Sequence, residues 1–294
     1  MPQVELQALN AAPQAEFMAT LGGIYEHTPW VAEVAFAARP FGNLADLHAA
    51  MVRAVREAGE DRRLALVRGH PDLAGKTARA GTLTPESAAE QAGAGLDRLT
   101  EAEYATFHRL NDAYKARFGF PFVICVRRHG RESILRAFER RLANARPVEL
   151  ETALEEIARI AALRLDEKVA APDRLKVHGR LSTHVLDTHG GRPAEGVALE
   201  LAEMAGESVR IVARGLTNAD GRTDEPLIHE RPVPAARYEL RFHVGAYFAG
   251  RGVPLAEPPF LDVVPVRFAV AEPEGHYHVP LLATPWSYST YRGS

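Results

Sequence analysis

The sequence predicts two unlike domains in series, a helical domain followed by a β domain. At 294 residues the chain is long for one ordinary domain, since about 150 residues per domain is usual. Apolar residues recur at steps of three and four in the first half, and they alternate with polar residues from about residue 177 onward. We therefore expect an all-α domain over residues 1–166, a charged linker over 167–176 and an all-β domain over 177–294.

Helix starts and apolar stripes support the α assignment. Asn43 is a suitable N-cap, Thr84 is an N-cap followed by proline at the first helical position, and Thr100 with Glu103 forms a capping box. The two clearest stripes consist of Leu44, Leu47, Met51, Ala54, Val55 and Ala58, and of Leu154, Ile157, Ala158, Ala161 and Leu165. These features predict at least four helices before residue 166.

Alternation with a period of two supports the β assignment. Apolar side chains at 197, 199 and 201 alternate with Ala198, Glu200 and Ala202, and the stretch 238–244 repeats this pattern. Asp220 and Gly221 form a dipeptide typical of a hairpin turn. No internal repeat and no low-complexity tract is present, so the two halves are different domains.

Composition and charge narrow the class of partner. A net charge of −3 gives no electrostatic reason to expect a nucleic acid or an anionic membrane, so we expect small-molecule ligands. The single cysteine, Cys125, lies in an apolar run and is interpreted as a core thiol. There is no secretory signal and no apolar stretch long enough to span a bilayer, so we expect a soluble cytoplasmic protein.

Three segments of the β half carry chemically active side chains, namely residues 182–184, 218–222 and 276–278. In a strand, side chains two residues apart share a face, so His276 and His278 point the same way and Tyr277 points the other way. A histidine pair of this kind suits half of a zinc site, a general acid/base pair or two solvated surface residues. The spacing alone leaves all three interpretations open.

The same segments resemble the signatures of 5-hydroxyisourate hydrolases, which are enzymatic relatives of transthyretin. The resemblance covers about residues 177–294 and rests on residues 181–188 (LSTHVLDT), 191–194 (GRPA), 217–222 (TNADGR), 276–282 (HYHVPLL) and 288–294 (YSTYRGS). It implies a transthyretin-like β-sandwich that forms a homotetramer, with the site in a cleft between subunits. It also implies catalytic roles for His184, Arg222 and His278, with substrate contacts from His276, Tyr291 and Ser294.

These residue types suit the hydrolysis of a cyclic amide. The reaction needs an activated water, a proton for the leaving nitrogen and a cation against the developing oxyanion. Histidine changes its protonation near neutral pH and arginine stays charged, so no metal is required. Two alternatives are a zinc-dependent cyclic amidohydrolase that uses His184, His276 and His278, and a transthyretin-like small-molecule carrier.

In the helical half, His70 stands between two residues that interrupt regular structure, Gly69 and Pro71. We expect a loop that displays His70 rather than packing it. Downstream, Ser87, Glu90 and Gln91 lie at helical spacing on one face of the helix that begins at residue 85. A polar face of this kind is usually a solvated surface.

These residues resemble 2-oxo-4-hydroxy-4-carboxy-5-ureidoimidazoline (OHCU) decarboxylases. The resemblance covers residues 15–166 and includes 21–30 (LGGIYEHTPW), 70–76 (HPDLAGK) and 118–124 (FGFPFVI). It implies His70 as the proton-transfer residue with Glu90 as its acidic partner. It further implies substrate contacts from Pro71, Ser87, Gln91, Phe122, Val123, Ile124 and Arg164.

The two resemblances describe consecutive reactions. The hydrolase would convert 5-hydroxyisourate to OHCU, and the decarboxylase would convert OHCU to (S)-allantoin. Decarboxylation usually needs an electron sink, often a cofactor. The conjugated imidazoline ring of OHCU is itself such a sink, so we expect neither a cofactor nor a metal. The sequence as a whole predicts a bifunctional enzyme of urate breakdown.

Overall fold

The computed structural model describes residues 3–75, 83–206 and 208–293. The chain forms two compact units, of which the first comprises residues 1–127 and 134–176 and the second comprises residues 128–133 and 177–294. The helices lie mainly in the first unit and the β-sheets mainly in the second. The predicted class, an all-α domain followed by a transthyretin-like β-sandwich, is confirmed.

The helices of the first half form a bundle around one long helix. Their bounds are α1 Leu6–Ala11, α2 Gln14–Leu21, α3 Trp30–Phe36, α4 Leu44–Glu57, α5 Glu60–Arg68, α6 Pro85–Gly93, α7 Glu101–Phe118, α8 Arg131–Arg141 and α9 Arg146–Lys168. A short 3-10 helix covers Val126–Arg128. Helix α9 packs against α4 and α5 and buries residues on most of its faces. It therefore carries Arg164 into the interior of the bundle.

The predicted helix starts are confirmed. The Asn43 side chain accepts a hydrogen bond from the Asp46 amide at 2.8 Å, so it caps α4. Thr84 caps α6 with Pro85 at its first position. Thr100 and Glu103 form the reciprocal capping box of α7. Each cap satisfies amide groups that the first helical turn leaves without partners.

An aromatic cluster fills the core between α7 and α8. The Phe122 and Phe138 rings are stacked with their centroids 3.6 Å apart, and the Tyr114 ring meets Phe122 edge to face at 5.2 Å. Cys125 is buried close by in the chain, as predicted for a core thiol. This packing fixes the non-helical stretch of residues 120–125, which helps to line the cavity described below.

The predicted linker is not a free segment. Helix α9 continues to Lys168, and strand β2, Val169–Ala170, pairs in parallel with strand β1, Val4–Glu5. Farther on, the Asp166 carboxylate accepts a hydrogen bond from the Leu175 amide at 2.9 Å. The first unit accordingly extends to Lys176.

The second half contains most of the strands and one helix. Their bounds are β3 Gly179–Ser182, β4 Val185–Asp187, β5 Arg192–Pro193, β6 Ala198–Ala205, β7 Ser208–Leu216, β8 Ile228–Arg231, β9 Arg237–His243, α10 Val244–Gly250, β10 Val263–Ala269, β11 His276–His278, β12 Leu281–Ala283 and β13 Tyr288–Thr290. The strand orders are β10-β9-β6-β7, β11-β3-β8 and β13-β12-β4-β5. Buried side chains from all three groups form one hydrophobic core, which makes the unit a sandwich.

Two details differ from the sequence prediction. The alternation predicted through residue 244 ends one residue earlier, because Val244 begins helix α10. Asp220 and Gly221 do form a tight turn, in which the Gly221 amide donates to the Asn218 carbonyl at 2.8 Å. However, this turn leads from β7 to β8, which pairs with β3, so the predicted hairpin is wrong.

Within the described residues, no helix is both long enough and apolar enough to cross a membrane.

Candidate active sites

The helical unit contains a small, partly open cavity lined by both polar and apolar residues. It brings together residues from five separate parts of the sequence and includes all of the predicted decarboxylase residues. Its walls consist of Glu26, His70, Pro71, Leu73, Ser87, Glu90, Gln91, Phe122, Val123, Ile124, Val126, Ile160 and Arg164. Lys76, the last residue of the 70–76 motif, lies outside the described residues.

His70 lies in the wall of this cavity, not on a displayed loop. Its amide donates to the Val67 carbonyl at 3.2 Å, so the chain keeps a helical turn after α5 and the ring stays packed. Only 8% of the residue is exposed, and the prediction of a displayed side chain is therefore wrong. The Leu66 carbonyl lies 3.0 Å from Nδ1 and accepts a hydrogen bond from it. This bond leaves Nε2 as the ring nitrogen available for proton transfer.

Arg164 is the central cation of the cavity. Its Nε and Nη2 atoms donate to the two Glu90 carboxylate oxygens, each at 2.9 Å. It also donates to the Ile24 carbonyl at 3.4 Å and to the Glu26 carboxylate at 3.5 Å. Burial lowers the pKa of Arg164, but Glu90 and Glu26 outweigh it and hold that pKa above its usual value. The guanidinium is therefore a fixed positive charge.

Glu26 belongs to the cavity, although the sequence patterns alone do not single it out. Its carboxylate accepts hydrogen bonds from the Thr84 hydroxyl at 2.6 Å and the Ser87 hydroxyl at 2.7 Å. Burial raises the pKa of Glu26, but these two bonds and the positive charge of Arg164 outweigh it and leave that pKa below its usual value. The side chain is thus a buried carboxylate anion. Its only sequence signal was its place in the 21–30 motif.

The protonation of His70 depends on Glu26. Burial lowers the pKa of the His70 imidazole, whereas the hydrogen bond to Leu66 and the charge of Glu26 oppose that effect. The net pKa is lowered, so the ring is neutral near pH 7. Glu90 was expected to be the acidic partner of His70, but its contacts are with Arg164.

Buried side chains hold the irregular backbone around the cavity. Gln91 accepts a hydrogen bond from the Ala74 amide at 2.9 Å, and Asn111 donates to the Leu73 carbonyl at 2.8 Å. In the segment of residues 122–126, Arg141 donates to the Val123 carbonyl at 2.8 Å, and Glu156 accepts a hydrogen bond from the Cys125 amide at 2.8 Å. Non-helical backbone is thus fixed in two segments beside the space that a ligand would enter.

The second candidate site lies where β3 and β11 run in parallel. Their register places His278 opposite Ser182 and His276 opposite Arg180. The Ser182 hydroxyl lies 3.0 Å from His278 Nδ1 and 3.3 Å from His276 Nε2. Both imidazoles therefore face the same hydroxyl, as the strand periodicity predicted.

His184 and Arg222 lie close to this pair because the chain turns sharply at Gly221. The Gly221 carbonyl accepts from the Val185 amide at 2.8 Å, and Gly221 has a φ of 71°. The His184 ring bonds to the Asp220 backbone, and its Nε2 is buried without a hydrogen-bond partner among the described residues. A nitrogen in this state is suited to bind a water or a substrate N–H.

Both histidines are electrostatically biased toward their neutral forms. Burial and the charge of Arg222 lower the pKa of His184. Burial, Arg222 and the neighbouring His184 also lower the pKa of His278. Neutral imidazoles beside a permanent cation provide a proton acceptor and an anion-binding group together.

The C-terminal segment returns to this site. The Gly293 amide donates to the His278 carbonyl at 2.9 Å. Tyr291, two residues earlier, is 57% exposed. The predicted contact residue Ser294 lies outside the described residues. The structure thus brings His184, Arg222, His276 and His278 together and leaves Tyr291 at the surface.

No three His, Cys, Asp or Glu side chains within the described ranges are grouped closely enough to hold a metal ion. The zinc alternative based on His184, His276 and His278 therefore has no geometric support in this part of the chain.

Comparison with known proteins agrees with the two-unit organisation. Residues 10–166 match the OHCU decarboxylase family, and residues 181–293 match the HIUase/transthyretin family. An OHCU decarboxylase from Haloferax volcanii is 44% identical over 171 residues, covering 58% of this chain and 99% of the relative. A 5-hydroxyisourate hydrolase from Deinococcus radiodurans is 56% identical over 117 residues, covering 40% of this chain and 98% of the relative.

The chain therefore belongs to the OHCU decarboxylase family through its helical half and to the HIUase/transthyretin family through its β half. It is also similar along its length to a crystal structure of (S)-allantoin synthase. The two sequences are 36% identical, the match covers 99% of this chain and 100% of the other, and the TM-score is 0.49.

Proposed function

We propose that this chain catalyses two consecutive steps of urate breakdown. The β unit hydrolyses 5-hydroxyisourate to OHCU, and the helical unit decarboxylates OHCU to (S)-allantoin. The observation that carries this proposal is the pairing of the two families in one chain, since hydrolysis of 5-hydroxyisourate, the substrate in one name, gives OHCU, the substrate in the other.

The hydrolytic step uses the histidines of the β unit. A neutral imidazole, His278 or His184, takes a proton from the attacking water and returns it to the leaving ring nitrogen. The nearby Arg222 stabilises the negative charge that develops on the carbonyl oxygen. Ser182 orients both histidines of β11 through its hydroxyl. His276 and Tyr291 contact the remainder of the substrate.

The decarboxylation step begins with orientation of the substrate. Loss of carbon dioxide requires the breaking bond to stand perpendicular to the conjugated ring, which then accepts the electron pair. Arg164 holds the anionic and carbonyl oxygens of OHCU with its planar fork. Since the Arg164 guanidinium donates to Glu90 in the absence of substrate, substrate oxygens replace Glu90 in some of these hydrogen bonds on binding. Ser87, Gln91 and the backbone of residues 122–124 complete the contacts.

Proton transfer in this step belongs to His70. The neutral ring accepts a proton from the substrate hydroxyl as the carbon–carbon bond breaks, and the resulting imidazolium delivers a proton to the ring carbon. Glu26 stabilises that transient cation because its negative charge favours protonated His70. Delivery from one wall of the cavity reaches one face of the planar intermediate, so a single enantiomer forms.

We further propose that the protein is a homotetramer assembled through its β unit. Trp286 and Tyr288 in the described range are large aromatic residues and are 55% and 46% exposed. They lie next to the segment that carries Tyr291, also exposed. Burying this surface against a second copy would remove an exposed apolar patch and close the hydrolytic site.

A coupled assay tests the two activities together. Urate is oxidised by a separate oxidase in the presence of the protein, and ultraviolet absorbance and circular dichroism are recorded simultaneously. We expect rapid loss of the 5-hydroxyisourate absorbance followed by a growing dichroism signal from chiral allantoin. Spontaneous decay rates with no dichroism would overturn the proposal. A metal-free sample that retains full activity would remove the zinc alternative.

A further inference from the structure

A second cavity lies in the helical unit, apart from the proposed decarboxylation site. Its walls come from α4, α9 and the segment that joins α2 to α3, and its volume is about 170 Å³. It shares no lining residue with the cavity of His70 and Arg164. A cavity of about 150 Å³ is enough for a benzene-sized ring.

The most informative side chain in this cavity is Tyr25. The residue is 2% exposed, and its hydroxyl oxygen has no hydrogen-bond partner among the described residues. Burial raises the pKa of Tyr25 far above its usual value, so the hydroxyl keeps its proton and can act as a donor. A buried hydroxyl without a partner is costly, and it is satisfied when a ligand brings an acceptor.

The other walls define the rest of the ligand. Val52, Val55 and Leu154 provide apolar surface for the faces of a ring. Of the charged lining residues, Arg159 pairs with Glu156 and Glu151 pairs with Arg63. The remaining two, Arg56 and Glu155, have opposite charges. Because the two positive and two negative side chains balance, the lining gives no electrostatic preference for an ion.

We propose that this cavity binds a compact, uncharged, planar ring that carries a carbonyl oxygen, such as a cyclic amide or ureide. The carbonyl oxygen accepts the hydrogen bond of Tyr25, and the ring faces pack between α4 and α9.

Two covalent or hydrogen-bonded connections link this cavity to the first one. Tyr25 stands between Ile24, whose carbonyl accepts a hydrogen bond from Arg164, and Glu26, whose carboxylate lies in the first cavity. Arg159 forms an ion pair with Glu156. The Glu156 carboxylate in turn accepts a hydrogen bond from the amide of Cys125, which lies in the segment 122–126 beside the first cavity. Occupation of the second cavity therefore alters the positions of groups in the first. This coupling, unlike the binding itself, rests on the proposed decarboxylase activity.

Hydantoin, an uncharged five-membered cyclic ureide, is a suitable probe for calorimetric titration of the full-length protein. We expect a dissociation constant of about millimolar or tighter. Tyr25→Phe should weaken binding by about tenfold, the usual value of one hydrogen bond. Ala158→Leu should abolish binding, because it fills the second cavity from α9. His70→Asn, in the first cavity, is the matched control and should bind hydantoin as the wild type does.

Thermal melting provides an independent measurement. Since the Tyr25 hydroxyl has no hydrogen-bond partner among the described residues, Tyr25→Phe should melt at the same or a higher temperature than the wild type. A lower melting temperature would mean that the hydroxyl is already satisfied by water and would overturn the proposal. Undetectable hydantoin binding, unchanged binding in Ala158→Leu, or loss of binding in His70→Asn would also overturn it.

The coupling is measured by adding hydantoin during decarboxylation of OHCU. We expect kcat or KM to change in the wild type and not in Ala158→Leu. An equal effect on both proteins would place hydantoin in the first cavity and contradict the coupling. If the wild-type protein has no decarboxylase activity, the proposed function fails, but the binding and melting experiments still decide whether the second cavity binds the ligand.

Discussion

Arg164 and Glu90 form a two-point ion pair in which Nε and Nη2 each lie 2.9 Å from a carboxylate oxygen. Both side chains are largely buried, with 4% and 13% of their surface exposed. A planar pair of this geometry has the shape of the interaction that Arg164 would make with a substrate carboxylate or ureido group. Glu90 thus holds the guanidinium in position for its ligand.

The first prediction is that decarboxylation requires the planar guanidinium of Arg164 and that another cation does not replace it. Arg164→Lys keeps the positive charge but cannot donate two parallel hydrogen bonds, so kcat/KM for decarboxylation should fall by about 10- to 100-fold. Arg63→Lys, which alters a surface pair with Glu151, is the control and should retain normal activity. Equal rates for wild type and Arg164→Lys would show that only the charge matters.

The second prediction concerns Glu26, which the sequence patterns alone do not single out. Glu26→Gln keeps the size of the side chain but removes the negative charge that raises the pKa of His70. Decarboxylation should fall by about tenfold, and the acidic limb of its pH profile should move to lower pH. Glu86→Gln, on the exposed side of α6, should leave both unchanged. An acidic limb that stays in place would exclude electrostatic coupling to His70.

The third prediction concerns the turn that positions His184 and Arg222. A Cβ atom at Gly221 would lie 2.3 Å from the Val185 carbonyl oxygen. Gly221→Ala should therefore lower the free energy of unfolding of the β unit by about 2–4 kcal/mol and abolish most hydrolysis. Gly191 has a similar φ of 65° but open space around its Cβ position, so Gly191→Ala should cost only about 1 kcal/mol. Similar losses in the two variants would mean that the close approach at Gly221 is unimportant.

The fourth prediction is a pH dependence of hydrolysis. His184 and His278 have lowered pKa values and act in their neutral forms, so hydrolysis should be fully present above about pH 6.5 and lost as the pH falls through their folded pKa values. Because the two rings interact, the acidic limb reports on the pair. Histidine titrations followed by NMR should move to higher pH in Arg222→Gln, by roughly one pH unit or less. Movement to lower pH would contradict the assigned role of Arg222.

Local signals in the sequence were sufficient for the helix starts. The caps at Asn43, Thr84 and Thr100 act over three residues, and all three form as predicted. The turn at Asp220 and Gly221 was likewise predictable, but its role was not. A turn alone does not determine whether the two strands that it joins pair with each other. Here β8 pairs with the distant strand β3 and not with β7.

The composition of the first cavity depends on tertiary packing. Glu26 and Arg164 are 138 positions apart, and no local pattern connects them. His70 was expected in a displayed loop because Gly69 and Pro71 interrupt helices. In the structure the chain makes one further turn after α5, closed by the hydrogen bond from the His70 amide to the Val67 carbonyl, and the ring is buried. The family resemblance identified His70 as a candidate, and the burial of its ring became evident only from the structure.

The fifth prediction is the most direct test of the central claim, that two separate sites on one chain catalyse consecutive steps. His70→Asn keeps a similar size and one hydrogen-bonding group but cannot transfer a proton near neutral pH. Decarboxylation should fall by about 10²- to 10⁴-fold, and hydrolysis should be unchanged.

The measurement is the coupled urate oxidation assay with the His70→Asn protein, following absorbance and circular dichroism together. We predict that 5-hydroxyisourate still disappears at the wild-type rate, that OHCU accumulates and that no dichroism develops, because OHCU then decays spontaneously to racemic allantoin. A folded His70→Asn protein that delivers optically active allantoin at the wild-type rate would contradict the account.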